Sequence, residues 1–289
     1  MLVLVGLSLT TSVPTAAQSD PTATPMPTTT PPAPVTDPVG KPPTFLANYY
    51  ESWVTSPHAD VKAEAFVHWN DEQKIPTACS TCHATAGYLD FLGADGSTAG
   101  KVDLEAPVGG VVNCDACHAP AAVALQTVTF PSGVEVGDMG DSTRCIVCHS
   151  GRASTVQVNA AIERAGLLED PSMPSDKLRF VNIHYYAAAA SLYGSEAKGG
   201  YEYEAKQYQM RFFHVEGYST CASCHNPHTL EVKVEECAIF HEGVKSVEDL
   251  HDIRMQGSLS DYDGDDSLES IGGAEAVAGL TRADVTASQ

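Results

Sequence analysis

Four copies of one pentad stand out: Cys79-Ser80-Thr81-Cys82-His83, Cys114-Asp115-Ala116-Cys117-His118, Cys145-Ile146-Val147-Cys148-His149 and Cys221-Ala222-Ser223-Cys224-His225. Two thiols at this spacing can each add to a vinyl group of one porphyrin, and the adjacent His can ligate its iron. With 9 Cys and 11 His in 289 residues, one chance match is expected about 0.01 times. A disulfide framework does not explain a His after every second Cys. Zinc sites of the Cys₄ or Cys₂His₂ kind have no need of the same pentad four times. Haem c is therefore the cofactor expected at Cys79, Cys82, Cys114, Cys117, Cys145, Cys148, Cys221 and Cys224, with His83, His118, His149 and His225 as ligands. A fifth segment, Cys237-Ala238-Ile239-Phe240-His241, has Phe240 in place of the second Cys, and the five segments hold all nine cysteines. Two readings stay open there. A single thioether from Cys237, with His241 on iron, retains a fifth haem; alternatively haem is lost and Phe240 fills part of its space. Recognition of both thiols during attachment leans toward the second.

The remaining histidines are His58, His68, His184, His214, His228, His241 and His251. Each isolated His has a bland reading as a surface or packing residue, yet as axial ligands they outnumber the positions that four or five haems offer. The surplus favours irons ligated on both sides, which pass electrons rather than bind substrate. His228 follows His225 by three positions and cannot reach the far side of its own haem, so it is expected to serve a neighbour. His184 and His214 are the next candidates. His58 and His68, about 15 Å apart at helical rise, could serve two different haems, and His251 goes with the fifth site. Met139, Met173, Met210 and Met255 are further axial donors, and none is needed.

Composition narrows the function classes. A formal net charge of −21 excludes nucleic-acid binding, which needs clustered Lys and Arg, and favours redox partner proteins with basic docking surfaces. Aromatic residues are only 7% of the chain, so the polypeptide is expected to wrap its cofactors and to collapse without them. Residues 1–18 read as an export signal with an apolar stretch but no basic start; the run is too short to span a membrane. Residues 19–44 form a Thr/Pro linker, residues 45–256 the haem domain, and residues 257–289 an acidic tail that has the look of a shortened end. Within the tail, Asp261-Tyr262-Asp263-Gly264-Asp265-Asp266-Ser267-Leu268-Glu269 reads as a solvated loop or a Ca²⁺ loop. Its Gly falls at the fourth position, where the calcium pattern wants the sixth.

The elements that must position these residues are expected to be short. Helical patterning covers Ala59–Asn70, Ser154–Leu168 and Asn182–Tyr193, strand patterning covers Ala124–Phe130 and Thr229–Glu235, and the motifs fall at loop-to-helix junctions. The longest interval between motifs, from Cys148 to Cys221, carries His184 and His214 and is expected to supply ligands rather than a catalytic domain.

On these residues the chain resembles bacterial multihaem c-type cytochromes of tetrahaem and pentahaem type. The resemblance is closest in the Cys-x-x-Cys-His-x-Pro-His element, here Cys221 to His228. Asn182-Ile183-His184-Tyr185, Gly199-Gly200-Tyr201-Glu202-Tyr203 and His214 are also similar to pentahaem members, and the likeness covers roughly residues 51–255. It implies a mainly α, haem-packed architecture with extensive loops and few short strands. It also implies an electron-transfer role in anaerobic or extracellular respiration, outside the cytoplasm, with no catalytic residues. Such relatives carry Cys at position 240 and continue past the acidic loop. Two other readings remain: a reductase of nitrogen or sulfur oxyanions, which needs an open iron and acid/base groups, and a self-associating filament subunit using His58 or His68 across protomers.

Overall fold

Short helices joined by long loops carry the motifs. The computed structural model describes residues 46–168, 173–203, 205–212 and 214–253. The signal-like segment, the Thr/Pro linker, Met255 and the acidic loop with its candidate Ca²⁺ site lie outside the described residues. In chain order the first elements are α1 (Ala47–Val54), α2 (Glu64–Val67), β1 (Lys74–Ile75), α3 (Thr77–His83), α4 (Thr85–Phe91) and β2 (Ala106–Pro107). Next come α5 (Cys114–His118), α6 (Pro120–Val123), β3 (Val128–Thr129), β4 (Glu135–Val136), α7 (Thr143–His149) and α8 (Thr155–Ala165). The last are α9 (Ala188–Tyr193), α10 (Cys221–Cys224) and α11 (Val234–Cys237). Two antiparallel two-stranded ribbons, β1 with β2 and β3 with β4, are the sheets among the described residues. The fold is thus mainly helical with few short strands.

The motifs occupy helices rather than the junctions beside them, because one turn of helix suffices to carry the pentad. Residues four apart share a face, so the His stands above the first Cys. The backbone shows this directly, with His225 N–H donating to the Cys221 carbonyl at 2.8 Å.

Several expected elements are shorter. The Ser154–Leu168 helix is present as α8, started by a capping box between Ser154 and Gln157 and closed by Gly166 at φ 76°. The expected Ala59–Asn70 helix shrinks to α2, and His58 sits in a 3₁₀ turn at Pro57–Ala59, so the helical-rise estimate for His58 and His68 does not apply. The Asn182–Tyr193 helix begins only at Ala188, because His184 (φ 87°) and Tyr186 (φ 54°) adopt left-handed backbone that no α-helix contains. The Thr229–Glu235 strand is replaced by a single bridge between His225 and Val232, since Leu230 turns at φ 65° and α11 has begun by Val234. Of Ala124–Phe130, only Val128 and Thr129 pair as strand.

The largest core cluster forms around α7, where Ile146 and Val147 meet Tyr88, Met139, Phe130 and Tyr193. Ile146 and Tyr193 have no exposed surface. The loop leading to motif four is tied to this core by Arg211, which is buried over the Tyr193 ring at 4.6 Å and paired with Asp138 at 3.2 Å. A smaller cluster of Trp53, Phe66 and Val111 joins α1 and α2 to the approach to motif two, reinforced by the Trp53 indole N–H donating to the Val112 carbonyl at 3.0 Å.

Candidate cofactor sites

Four pairs of imidazoles face one another across nearly equal gaps. His83 faces His184 with ring centres 5.9 Å apart, and His118 faces His228 at 6.2 Å with planes only 10° apart. His149 faces His58 at 6.3 Å, and His241 faces His214 at 6.1 Å. The sequence separations are large, so this is tertiary placement and not local periodicity. In every pair one ring belongs to a Cys-x-x-x-His segment and the other to the spare set. Imidazole nitrogens about 2.0–2.1 Å from one metal ion, on opposite sides of it, put the two ring centres about 6.3 Å apart.

Hydrogen bonding at the motif histidines points the same way. Nδ1 of His83 meets the Ala65 carbonyl at 2.8 Å, that of His149 the Tyr186 carbonyl at 2.7 Å, and that of His225 the Leu230 carbonyl at 2.9 Å. A carbonyl only accepts, so Nδ1 must carry the proton and Nε2 keeps a free lone pair. This is the orientation that a metal-ligating imidazole requires.

Two of the sites brace each other. The segment from His58 to Ala65 provides the ring facing His149 and the carbonyl that orients His83. Reciprocally, the loop around His184 to Tyr186 provides the ring facing His83 and the carbonyl that orients His149. That double duty explains why left-handed backbone persists at His184 and Tyr186, at a cost of order 1–3 kcal/mol each. His184 N–H is further held by the Asn182 side chain at 2.8 Å. Gly151 lets the loop come close: at φ 85°, a Cβ there would stand 2.8 Å from the Ile183 carbonyl oxygen.

The thiols converge as well. Cys82 lies beside Cys148, and Cys145 beside Cys221. Tyr88, whose hydroxyl donates to the Arg144 carbonyl at 3.2 Å, stands among Cys148, Cys117 and Cys145; burial, then those thiols, pushes its phenol well above the usual range. Arg144 donates to the Cys117 carbonyl. Motif three thus touches motifs one, two and four.

Burial favours the neutral form at four of the facing imidazoles. His58 is lowered to about 4, first by burial and then by the charge of His149. His83, His184 and His228 are also lowered, burial being the largest cause in each. Neutral imidazole is the form that binds metal.

Other candidates fall elsewhere. His68 is exposed and bonded to Glu64 at 2.8 Å, and its ring packs edge-on against Trp69. His251 lies exposed on a 3₁₀ turn at Glu248–Asp252, and the ring facing His241 is His214 instead. Among the described residues no imidazole faces His225. Met139 is buried with its sulfur against Arg211, while Met173 and Met210 are exposed. Sequence reasoning missed Trp69, packed edge-on against His83 at 5.0 Å, Tyr49, 5.1 Å from His228, and the carbonyls of Ala65, Tyr186 and Leu230. A carbonyl leaves no mark in a sequence.

The residues present fit haem c on two counts of geometry: the ring separations and the free Nε2 lone pairs beside paired thiols. Comparison with known proteins points to the same cofactor. A family model described as cytochrome c554 and c-prime matches residues 44–119. The C-type polyheme cytochrome OmcB of Geobacter sulfurreducens is 27% identical over 210 residues, covering 57% of this chain and 26% of that protein. OmcC of the same organism, also a C-type polyheme cytochrome, is 26% identical over 212 residues with the same coverage. The chain therefore spans about a quarter of the length of these relatives. No solved structure matches it significantly.

Proposed function

We propose that this chain, which belongs to the multihaem c-type cytochromes, is an exported electron relay in anaerobic or extracellular respiration. The observation that carries this reading is the set of facing rings at three intact motifs: His83 with His184, His118 with His228, and His149 with His58. Haem c bound there supplies an iron that takes up and releases one electron. Were both imidazoles of each pair to hold the iron, no open position would be left for substrate, so a reductase role is disfavoured at those three motifs. The Nδ1 bonds to backbone carbonyls hold the motif rings of His83 and His149 in place through a change of charge, which keeps reorganisation small. The adjacency of Cys82 to Cys148 and of Cys145 to Cys221 would bring neighbouring cofactors close together and make α7 the junction of the relay.

The setting follows from charge and from the leader-like start. The formal charge of −21 favours basic redox partners whose association weakens with salt. Residues 1–18 as export signal, 19–44 as linker and 45–256 as haem domain suit a periplasmic or cell-surface protein. No helix among the described residues is long and apolar enough to cross a membrane.

CO difference spectroscopy on the dithionite-reduced holoprotein tests the relay. The expected result is CO binding to no more than one iron per chain, the one at His225. Rapid binding to two or more irons would overturn the reading in favour of a haem enzyme.

A further inference from the structure

The fifth segment has lost its second cysteine, and the tertiary structure has kept everything else. His241 N–H donates to the Cys237 carbonyl at 2.9 Å, the same backbone bond that links His225 to Cys221 at 2.8 Å. One helical turn therefore carries Cys237 and His241 in the relation found at an intact motif. His214 faces His241 at 6.1 Å, inside the 5.9–6.3 Å span of the three intact pairs. His214 comes from a separate loop.

Phe240 does not fill the space. It is 58% exposed, and its ring meets Tyr218 edge-on at 5.8 Å. An open hollow of about 410 Å³ lies beside it, lined by His241, Val244 and Ile253 among others. Cys237 is half-buried, its thiol donating to the Lys233 carbonyl at 3.7 Å. The Lys233 N–H donates to the Cys224 carbonyl at 2.9 Å and the Lys233 ammonium to the Ala222 carbonyl at 2.8 Å, which places the fifth segment next to motif four.

We propose that His214 and His241 ligate a fifth haem, attached through a single thioether from Cys237. The attachment balances as an addition. The Cys237 S–H bond breaks, sulfur bonds the inner carbon of one vinyl group, and the hydrogen goes to the outer carbon. No electrons are gained or lost, and the second vinyl group stays unsaturated beside Phe240. The relay then continues from α7 through Cys221 and Cys224 to the fifth site. This rests on the reading that the four intact motifs carry haem c.

Intact mass of the haem-loaded full chain, together with its pyridine haemochrome spectrum and an acid-acetone extraction, tests both levels separately. The expected mass is the polypeptide plus five haems, with an α band displaced toward that of haem carrying a free vinyl group. Cys237→Ser should bring the covalent count to four, and Phe240→Cys should keep five while restoring a uniform haem c band. His214→Ala should add a high-spin component without changing the spectra of the other four. Four covalent haems with a fifth extractable in acid acetone would overturn the thioether. Four covalent haems and none extractable would overturn the site while leaving the relay reading intact. Fewer than four covalent haems would instead sink the reading on which the site rests.

Discussion

Motif three and the fifth segment show how far the surroundings of a Cys-x-x-x-His turn can differ within one chain. In α7 the two variable residues, Ile146 and Val147, are core side chains packed against Tyr88, Met139, Phe130 and Tyr193. In the fifth segment the equivalent Ala238 and Ile239 are both exposed, Ile239 to 71%, and Phe240 at the place of the lost cysteine is 58% exposed. Motif three shares thiol contacts with motifs one and four, and its His149 is oriented by a carbonyl from a loop that also serves His83. The fifth segment is joined to the rest chiefly through His214 and the neighbouring α10. The difference teaches where substitution can be absorbed. Loss of a cysteine at α7 would disturb several sites, whereas the chain carries an exposed Phe240 while the facing pair of imidazoles survives.

Four experiments would break or sharpen this contrast. The largest effect is expected from Cys145→Ser combined with Cys148→Ser, which removes attachment at the junction. Recovered holoprotein should fall about tenfold or more, the signature of a chain that drops below its stability threshold, while Cys237→Ser should leave the yield nearly unchanged; expression level and haem stain on a denaturing gel check this. Equal losses in the two variants would erase the contrast.

Ile146→Ala should then cost about 3 kcal/mol, the cost of emptying a fully buried aliphatic site. Ile239→Ala should stay within about 0.5 kcal/mol, as exposed substitutions do. Guanidinium unfolding followed by circular dichroism measures both. Gly151→Ala comes next, with an expected loss of about 1–3 kcal/mol from the positive φ and the collision with Ile183. Because the displaced loop carries both the His184 ring and the Tyr186 carbonyl, low-temperature electron paramagnetic resonance should show altered low-spin signals from two haems. A single altered signal would contradict the cross-bracing of motifs one and three. The smallest change belongs to Thr220→Ala, which removes the side-chain cap of α10 for about 1 kcal/mol, read in the same unfolding assay; a loss as large as that of Ile146→Ala would mean that α10 depends on more than its cap.

Legibility varied with the physical range of each signal. The pentads were readable because cofactor attachment demands particular atoms at particular local spacing, and α8 was readable because Ser154, Gln157 and Gly166 are local start and stop signals. His228 was expected to serve a neighbouring haem because three residues cannot encircle a porphyrin, and its ring is placed against His118. Elsewhere local patterning misled. The run of alanines after His184 suggested a helix that the left-handed residues at His184 and Tyr186 delay, and alternation at Leu230, Val232 and Val234 suggested a strand where Leu230 turns instead. In both places the chain is bent to bring a carbonyl or a ring to a distant motif histidine. Propensity summed over a window cannot register such a demand.

By itself, the sequence determined the cofactor chemistry, the number of secure attachment motifs and the excess of histidines, since all of these depend on residue identity and spacing along the chain. Which imidazole faces which, which carbonyl holds each motif ring, and that α7 lies at the junction were decided only by the tertiary structure. These relations join residues tens of positions apart through short helices and loops, and no local periodicity encodes them. The fifth segment shows the division most clearly. Read along the chain it is a motif with one cysteine lost; read in space, His214 stands opposite His241 at the separation found at the intact motifs.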